Sequence, residues 1–174
     1  SDAEGAAAAR GTGKTGQVFE SFAERDGRGE RQGRGGAGKA DAEDRASALE
    51  SLGDLIEARA AYERVVEREP ANARATAALA WLAARRADWP EARSRGAAAL
   101  AVRDDPVARL AIALADLREG DPAAAESVTR KLLEQGSLPP HERSAAQRLL
   151  AETLDVLDRP AEAYAAYAEA NAVL

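Results

Sequence analysis

The sequence predicts an all-α fold in which antiparallel helix pairs stack in series, about four pairs long. Three observations predict it. Apolar residues recur at three- and four-residue spacing between breaks made by glycine, proline and aspartate, the stripe of an amphipathic helix. One small position returns in phase at Ala58, Ala92, Ala125 and Ala163, at intervals of 34, 33 and 38 residues. Hydrophobic residues make up 45% of the 174 positions but aromatics only 4%. Alanine, leucine and valine must therefore pack the core, which favours closely approaching helices over a sheet with large interior side chains.

The clearest stretch is LGDLIEARAAYERVVEREPAN, from Leu52 to Asn72. Gly53 ends one helix through a left-handed backbone, and Asp54 caps the next, with Glu57 placed to complete a capping box. Leu55, Ala58, Tyr62, Val65 and Val66 form the apolar stripe, Glu67 to Glu69 close the polar side, and Pro70 stops the helix. Asn72 caps whatever follows. The turn before each such helix also repeats, as Gly53-Asp54, Ala87-Asp88, Gly120-Asp121 and Asp158-Arg159. The long last interval is explained by LPPHE, Leu138 to Glu142, inserted between helices.

This stretch resembles the second helix of a tetratricopeptide repeat, where a small residue, an aromatic and a terminal proline sit at this spacing, and a return after about 34 residues is the mark of that array. The resemblance implies helix pairs wound into a right-handed superhelix. The repeats are expected at about 41–70, 72–103, 105–136 and 140–174. In the first, Ala42, Ala46 and Leu49 are the inward candidates of a polar, capping-type helix. In the second, Leu79, Ala80, Leu82 and Ala83 pack one helix, and Asp88-Trp89-Pro90 opens the other. Gly96 stands where Tyr62 and Tyr167 stand in other repeats, leaving space for a neighbour such as Trp89. The third has Leu110, Ile112, Ala113, Leu114 and Leu117, then Ala125, Val128, Leu132 and Leu133. The fourth turns Leu149, Leu150, Leu154, Leu157, Ala163, Tyr164, Tyr167 and Ala170 inward. No polar helix covers it, which predicts a continuation of the chain or a partner packed on Tyr164 and Val173.

Residues 1–40 are a different material. They hold ten of the fourteen glycines, and only Val18, Phe19 and Phe22 could anchor a core. Such a segment cannot offset its ordering entropy, so it is expected to be disordered, with at best a marginal helix over Gln17 to Arg25. AARGTGKTG, Ala8 to Gly16, ends like a phosphate-binding loop. It lacks the leading glycine and the preceding strand that such a loop needs. GRGERQGRGGAGK, Gly27 to Lys39, has the glycine and arginine of an RNA-binding segment without its aromatics. A solvated linker is the reading for both.

The net charge of −6 weighs against a nucleic-acid partner, since phosphate binding needs clustered cations. The absence of cysteine removes disulfides, thiolate catalysis and sulfur-ligated metal sites. No apolar run approaches the roughly 20 residues that cross a bilayer, no signal-peptide pattern is read in the sequence, and a cytoplasmic location is expected. The absence of methionine marks the chain as a candidate fragment. His141, the single histidine, is expected on an exposed first turn, and acidic pairs such as Asp104-Asp105 read as caps. No catalytic motif occurs. The expectation is a non-enzymatic chain without cofactor or metal.

The resemblance implies that first helices line a concave groove for a peptide or partner helix. Carried over by repeat phase, the groove candidates are Arg74, Ala77, Trp81 and Arg85; Leu110, Leu114, Leu117 and Arg118; and Arg148, Glu152 and Asp155. An apolar floor with arginines suits an apolar segment bearing a carboxylate. Trp81 reads equally as core between repeats, and the arginines as a solvated face. Asp158 to Leu174 also resembles the last repeat of bacterial proteins in which such arrays precede a sulfotransferase domain. That likeness implies a recognition arm of a larger enzyme.

Overall fold

The computed structural model describes residues 37–136 and 138–172. The expectations for the glycine-rich segment (disorder, a short helix, a linker in place of nucleotide or RNA binding) lie outside these residues up to position 36. Eight α-helices make up the described chain: α1 (Ala37–Ser51), α2 (Leu55–Arg68), α3 (Ala73–Arg85), α4 (Trp89–Val102), α5 (Pro106–Glu119), α6 (Pro122–Glu134), α7 (Pro140–Val156) and α8 (Pro160–Ala172). They pack as successive pairs, α1 on α2, α3 on α4, α5 on α6 and α7 on α8, and each pair meets the next through α2–α3, α4–α5 and α6–α7. The first helices also meet one another, α3 with α5 and α5 with α7. This is a helical array of tetratricopeptide type. The first helix starts at Ala37, earlier than the expected Asp41, because Ala37, Lys39 and Ala40 are good helix formers that prolong it.

One corner is used four times. Gly53, Ala87, Gly120 and Asp158 all take positive φ, at 80°, 61°, 96° and 56°. In each case the next amide reaches back across the turn to a carbonyl five residues earlier: Asp54 to Leu49, Asp88 to Ala83, Asp121 to Asp116 and Arg159 to Leu154, at 2.8–3.0 Å. This 6→1 bond satisfies a carbonyl that the helix end would otherwise strand. At three corners the same residue then caps the following helix. Asp54 accepts from the Glu57 amide at 3.1 Å, Asp88 from Glu91 at 3.2 Å and Asp121 from Ala124 at 3.0 Å. The expected capping box at Asp54 is not closed by Glu57, since the Asp54 amide is already bonded to Leu49. Asn72 and Asp105 cap α3 and α5 in the same manner.

Each pair closes over its small residue. Ala58, Ala92, Ala125 and Ala163 are buried to 1% exposure or less. Around them lie a cluster of α1, α2 and α3 (Ala46, Tyr62, Val65, Leu79, Leu82), a central cluster from α3 to α7, and a third between α7 and α8. Gly96 is buried on α4, and the space beside it is filled by Ile112 rather than by Trp89. A Cβ added there would lie 2.7 Å from the Ile112 Cγ1 and 3.3 Å from the Ala108 carbonyl oxygen. Tyr164, expected to face inward, is 77% exposed. The buried stripe of α8 runs through Ala163, Ala166 and Ala170, and Tyr164 lies off it at 100° per residue.

The second helices are joined by ion pairs. Arg59 on α2 reaches Glu91 on α4 at 3.5 Å, and Glu91 also holds Arg86 at 2.7 Å and Arg95 at 2.8 Å. Farther along, Glu126 on α6 holds Arg130 at 2.8 Å and Arg159 at 2.7 Å, while Glu162 on α8 meets Arg130 and Arg159. Arg93 pairs with Asp116 and with Glu119. The Arg130 and Arg159 guanidiniums hold the Glu126 carboxyl below its ordinary range. Arg159 and Arg130 do the same for Glu162. At Glu91 burial pushes up, but Arg95, Arg59 and Arg86 together pull the carboxyl down.

Three expectations follow. Left-handed backbone costs a non-glycine residue about 1–2 kcal/mol, part of which glycine returns through its larger unfolded-state entropy. Ala87→Gly is therefore expected to stabilise the chain in urea denaturation, while Gly120→Ala destabilises it by about 1 kcal/mol. Gly96→Leu should overpack the contact with Ile112 and cost about 1–3 kcal/mol, with part of the loss recovered in a Gly96→Leu, Ile112→Ala double variant. The depressed carboxylates stabilise the fold above the ordinary glutamate value of 4.5, and that contribution is lost as pH falls through their lower folded values. Melting temperature should fall on acidification below that value, and less steeply in Glu126→Gln.

Candidate functional site

The face carrying the first helices contains a cavity of about 250 Å³. It runs from the last turns of α1 (Ser47, Glu50) across α3 (Arg74, Ala78, Trp81) to the openings of α5 (Asp105, Pro106, Val107) and α7 (Pro139, His141, Glu142), with Tyr62 and Arg103 completing its lining. Each position follows from local folding. Asp105 is where it is because it caps α5, accepting the amides of Val107 at 2.9 Å and Ala108 at 3.3 Å and a bond from Arg103 at 3.3 Å. The Pro139-Pro140 step starts α7 and turns His141 and Glu142 toward the cavity.

Glu50 is the unusual member. It is 3% exposed, and its Oε2 accepts the Tyr62 hydroxyl at 3.3 Å. Its Oε1 is buried without a hydrogen-bond partner among the described residues. Burial raises its pKa, against the opposing charge of Arg85 and the Tyr62 bond. The Tyr62 hydroxyl is pushed up in turn, by burial and then by the Glu50 charge. The pair is thus a buried phenol donating to a buried carboxylate that carries spare acceptor capacity.

The structure divides the sequence-derived groove residues. Arg74 and Trp81 line the cavity; Arg74 is exposed, and Trp81 is 2% exposed within the central cluster, so it serves as core and as wall. Arg85 stays outside the lining but acts on Glu50 through its charge. Ala77, Leu110 and Leu117 are buried in helix seams and present no surface to a groove, because first helices pack on one another as well as on their partners. Leu114 is half-buried against the central cluster. Arg118 and Glu152 pair with each other at 2.6 Å, joining α5 to α7. Asp155 is exposed and Arg148 half-buried. Burial first, then Glu152 and Asp155, raises the pKa of the Tyr167 hydroxyl, against the opposing charge of Arg148. These last residues form a second polar cluster at the far end of the array.

His141 is a correction. It is half-buried beside Glu142, with its Nε2 at 3.6 Å from the Glu142 Oε1, because the double proline folds the first turn of α7 onto the array. Sequence reasoning missed Ser47, Glu50, Tyr62, Arg103, Asp105 and Glu142 as one site. A signal existed for Glu50, which lies four residues after Ala46 on the inward stripe of α1, where a charge is out of place. Among the described residues, no three histidine, aspartate or glutamate side chains are grouped to hold a metal ion, and no helix is long and apolar enough to cross a membrane.

No protein-family model matches the chain, and no curated protein matches it. A solved structure described as MamA MSR-1 C2 is similar in fold, with a TM-score of 0.52 and 16% sequence identity over 78% of this chain and 76% of that one.

Proposed function

We propose that this chain is a non-catalytic scaffold that binds a peptide or partner helix against the face of α1, α3, α5 and α7, with no cofactor. The observation that carries this reading is the cavity, whose lining draws on all four first helices or the residues that open them. The charge at the cavity supports it. Arg74, at the cavity, is exposed and makes no ion pair among the described residues. A long cation left in water beside a depression of mixed polar and aromatic lining is suited to positioning a partner's carboxylate or backbone carbonyl.

Site-specific photocrosslinking tests this. A benzophenone amino acid placed at Arg74 or at Ala78 should give discrete adducts in cells that express the chain. The same group at Lys131, exposed on α6, should give far fewer. Equal labelling from both faces would defeat the assignment of the first-helix face.

A further inference from the structure

We propose that the cavity receives a basic side chain of the bound partner, a guanidinium or ammonium group, with the Glu50 carboxylate as its acceptor and the Trp81 and Tyr62 rings as its walls. The proposal rests on the first-helix face being the binding surface, and it specifies what that surface recognises.

The reasoning starts from the unmet acceptor. A buried carboxylate oxygen without a donor is a costly arrangement. Glu50 satisfies one oxygen through Tyr62 and leaves the other unpartnered among the described residues, in a side chain that lines the cavity. A neutral donor would satisfy that oxygen with an ordinary hydrogen bond. A cation serves it with a charge-assisted bond, about twice as strong. The neighbouring Arg85 does not fill this role: it makes no ion pair with Glu50, and burial outweighs its charge in setting the carboxyl's affinity for protons.

The other lining groups are already engaged or lie at the rim. Asp105 is occupied by the α5 amides and Arg103. Glu142 sits beside His141. Arg103 has 62% of its side chain exposed, so its charge is screened by solvent. Arg74 and Arg103 also line the cavity, but both are exposed to solvent whereas Glu50 is buried. Trp81 and Tyr62 in the lining are aromatic, the residue type whose rings attract cations. The volume of about 250 Å³ lies below the roughly 300–1,000 Å³ of small-molecule sites, which fits one inserted side chain. The net charge of −6 draws a basic segment toward the chain.

The test is an NMR titration of the whole ¹⁵N-labelled chain, read at the indole N–H signals of Trp81 and Trp89. The probes are N-acetyl-arginine methylamide, N-acetyl-lysine methylamide, N-acetyl-norleucine methylamide and acetate. Saturable movement of the Trp81 signal is expected with the arginine or lysine probe, with Trp89 little changed and norleucine and acetate inert. The tighter of the two basic probes identifies the head group. Glu50→Gln keeps the shape and removes the charge, and it should weaken binding about tenfold or more, as expected for losing a hydrogen bond to a charged group. Its melting temperature at neutral pH should be unchanged or higher. Ala78→Phe, which fills the cavity from its wall, should abolish the response even if Glu50→Gln does not fold.

No saturable movement with either basic probe overturns the proposal. So does an equal response to norleucine, a stronger response to acetate, or unchanged affinity in folded Glu50→Gln. Adducts on the first-helix face together with a failed titration would remove this proposal and leave the scaffold reading intact. A successful titration without face-specific adducts would remove the scaffold reading and, with it, the partner side chain as occupant, leaving only a cavity that takes free cationic groups.

Discussion

The close approach of helices over Ala58, Ala92, Ala125 and Ala163 is the constraint on which the rest of the structure depends. With aromatics at 4% of the chain, the core cannot gain its dispersion energy from large rings and must gain it from backbones packed near to one another. Alanine permits that spacing. The left-handed corner permits the reversal that brings two helices into it, and it does so with its amides and carbonyls paired across the turn. Gly96 extends the same logic by one step: removing even the Cβ lets Ile112 of the next pair enter the helix surface. Because every contact of this kind lies between neighbours in sequence, stability spreads along the array by nearest-neighbour terms.

That spacing also decides where polar groups go. The second helices sit near enough for arginine and glutamate to reach from one pair to the next, as Arg59 does to Glu91 and Arg159 to Glu126. Individually such pairs contribute little at a surface. Glu91 and Glu126, however, each hold more than one arginine, and the network fixes the relative orientation of successive pairs. On the first-helix face the bridge between neighbours is Arg118 with Glu152. The cavity end of that face keeps Arg74 and the Glu50 oxygen outside any such network.

The parts of this arrangement that are local were legible in the sequence. Glycine and aspartate at the corners, the aspartate and asparagine caps, and the phase of the small residues all follow from rules that act over five residues or fewer, and each sits where the pattern placed it. Tyr164 was misread for a related reason: in an alanine-rich helix the stripe is weakly marked, so the direction of a side chain shifts with small changes in the choice of face. Repeat phase places a residue on a helix but does not say which of two seams that helix closes. Leu110 and Leu117 went into the seams. His141 depended on the direction in which the Pro139-Pro140 step releases α7, and that direction is set by tertiary packing.

Glu50 is the point at which local and global preferences conflict. Its position on α1 is inward by helical phase, and an alanine or leucine there would have extended the cluster of Ala46, Leu79 and Leu82. The fold instead buries a carboxylate, pairs it with the Tyr62 hydroxyl, and leaves it beside a cavity. Burial raises its pKa, so the stability it offers is present below the ordinary carboxylate range and is lost as pH rises through the raised value, opposite in sign to Glu91 and Glu126. A residue that weakens the folded state near neutrality at a terminal helix, where the array has neighbours on one side alone among the described residues, disturbs few other contacts. Sequences that specify a fold tend to break their local rules where a site needs the broken rule. The unmet oxygen is thus better understood as an acceptor kept for a cationic group than as a flaw in the packing of α1.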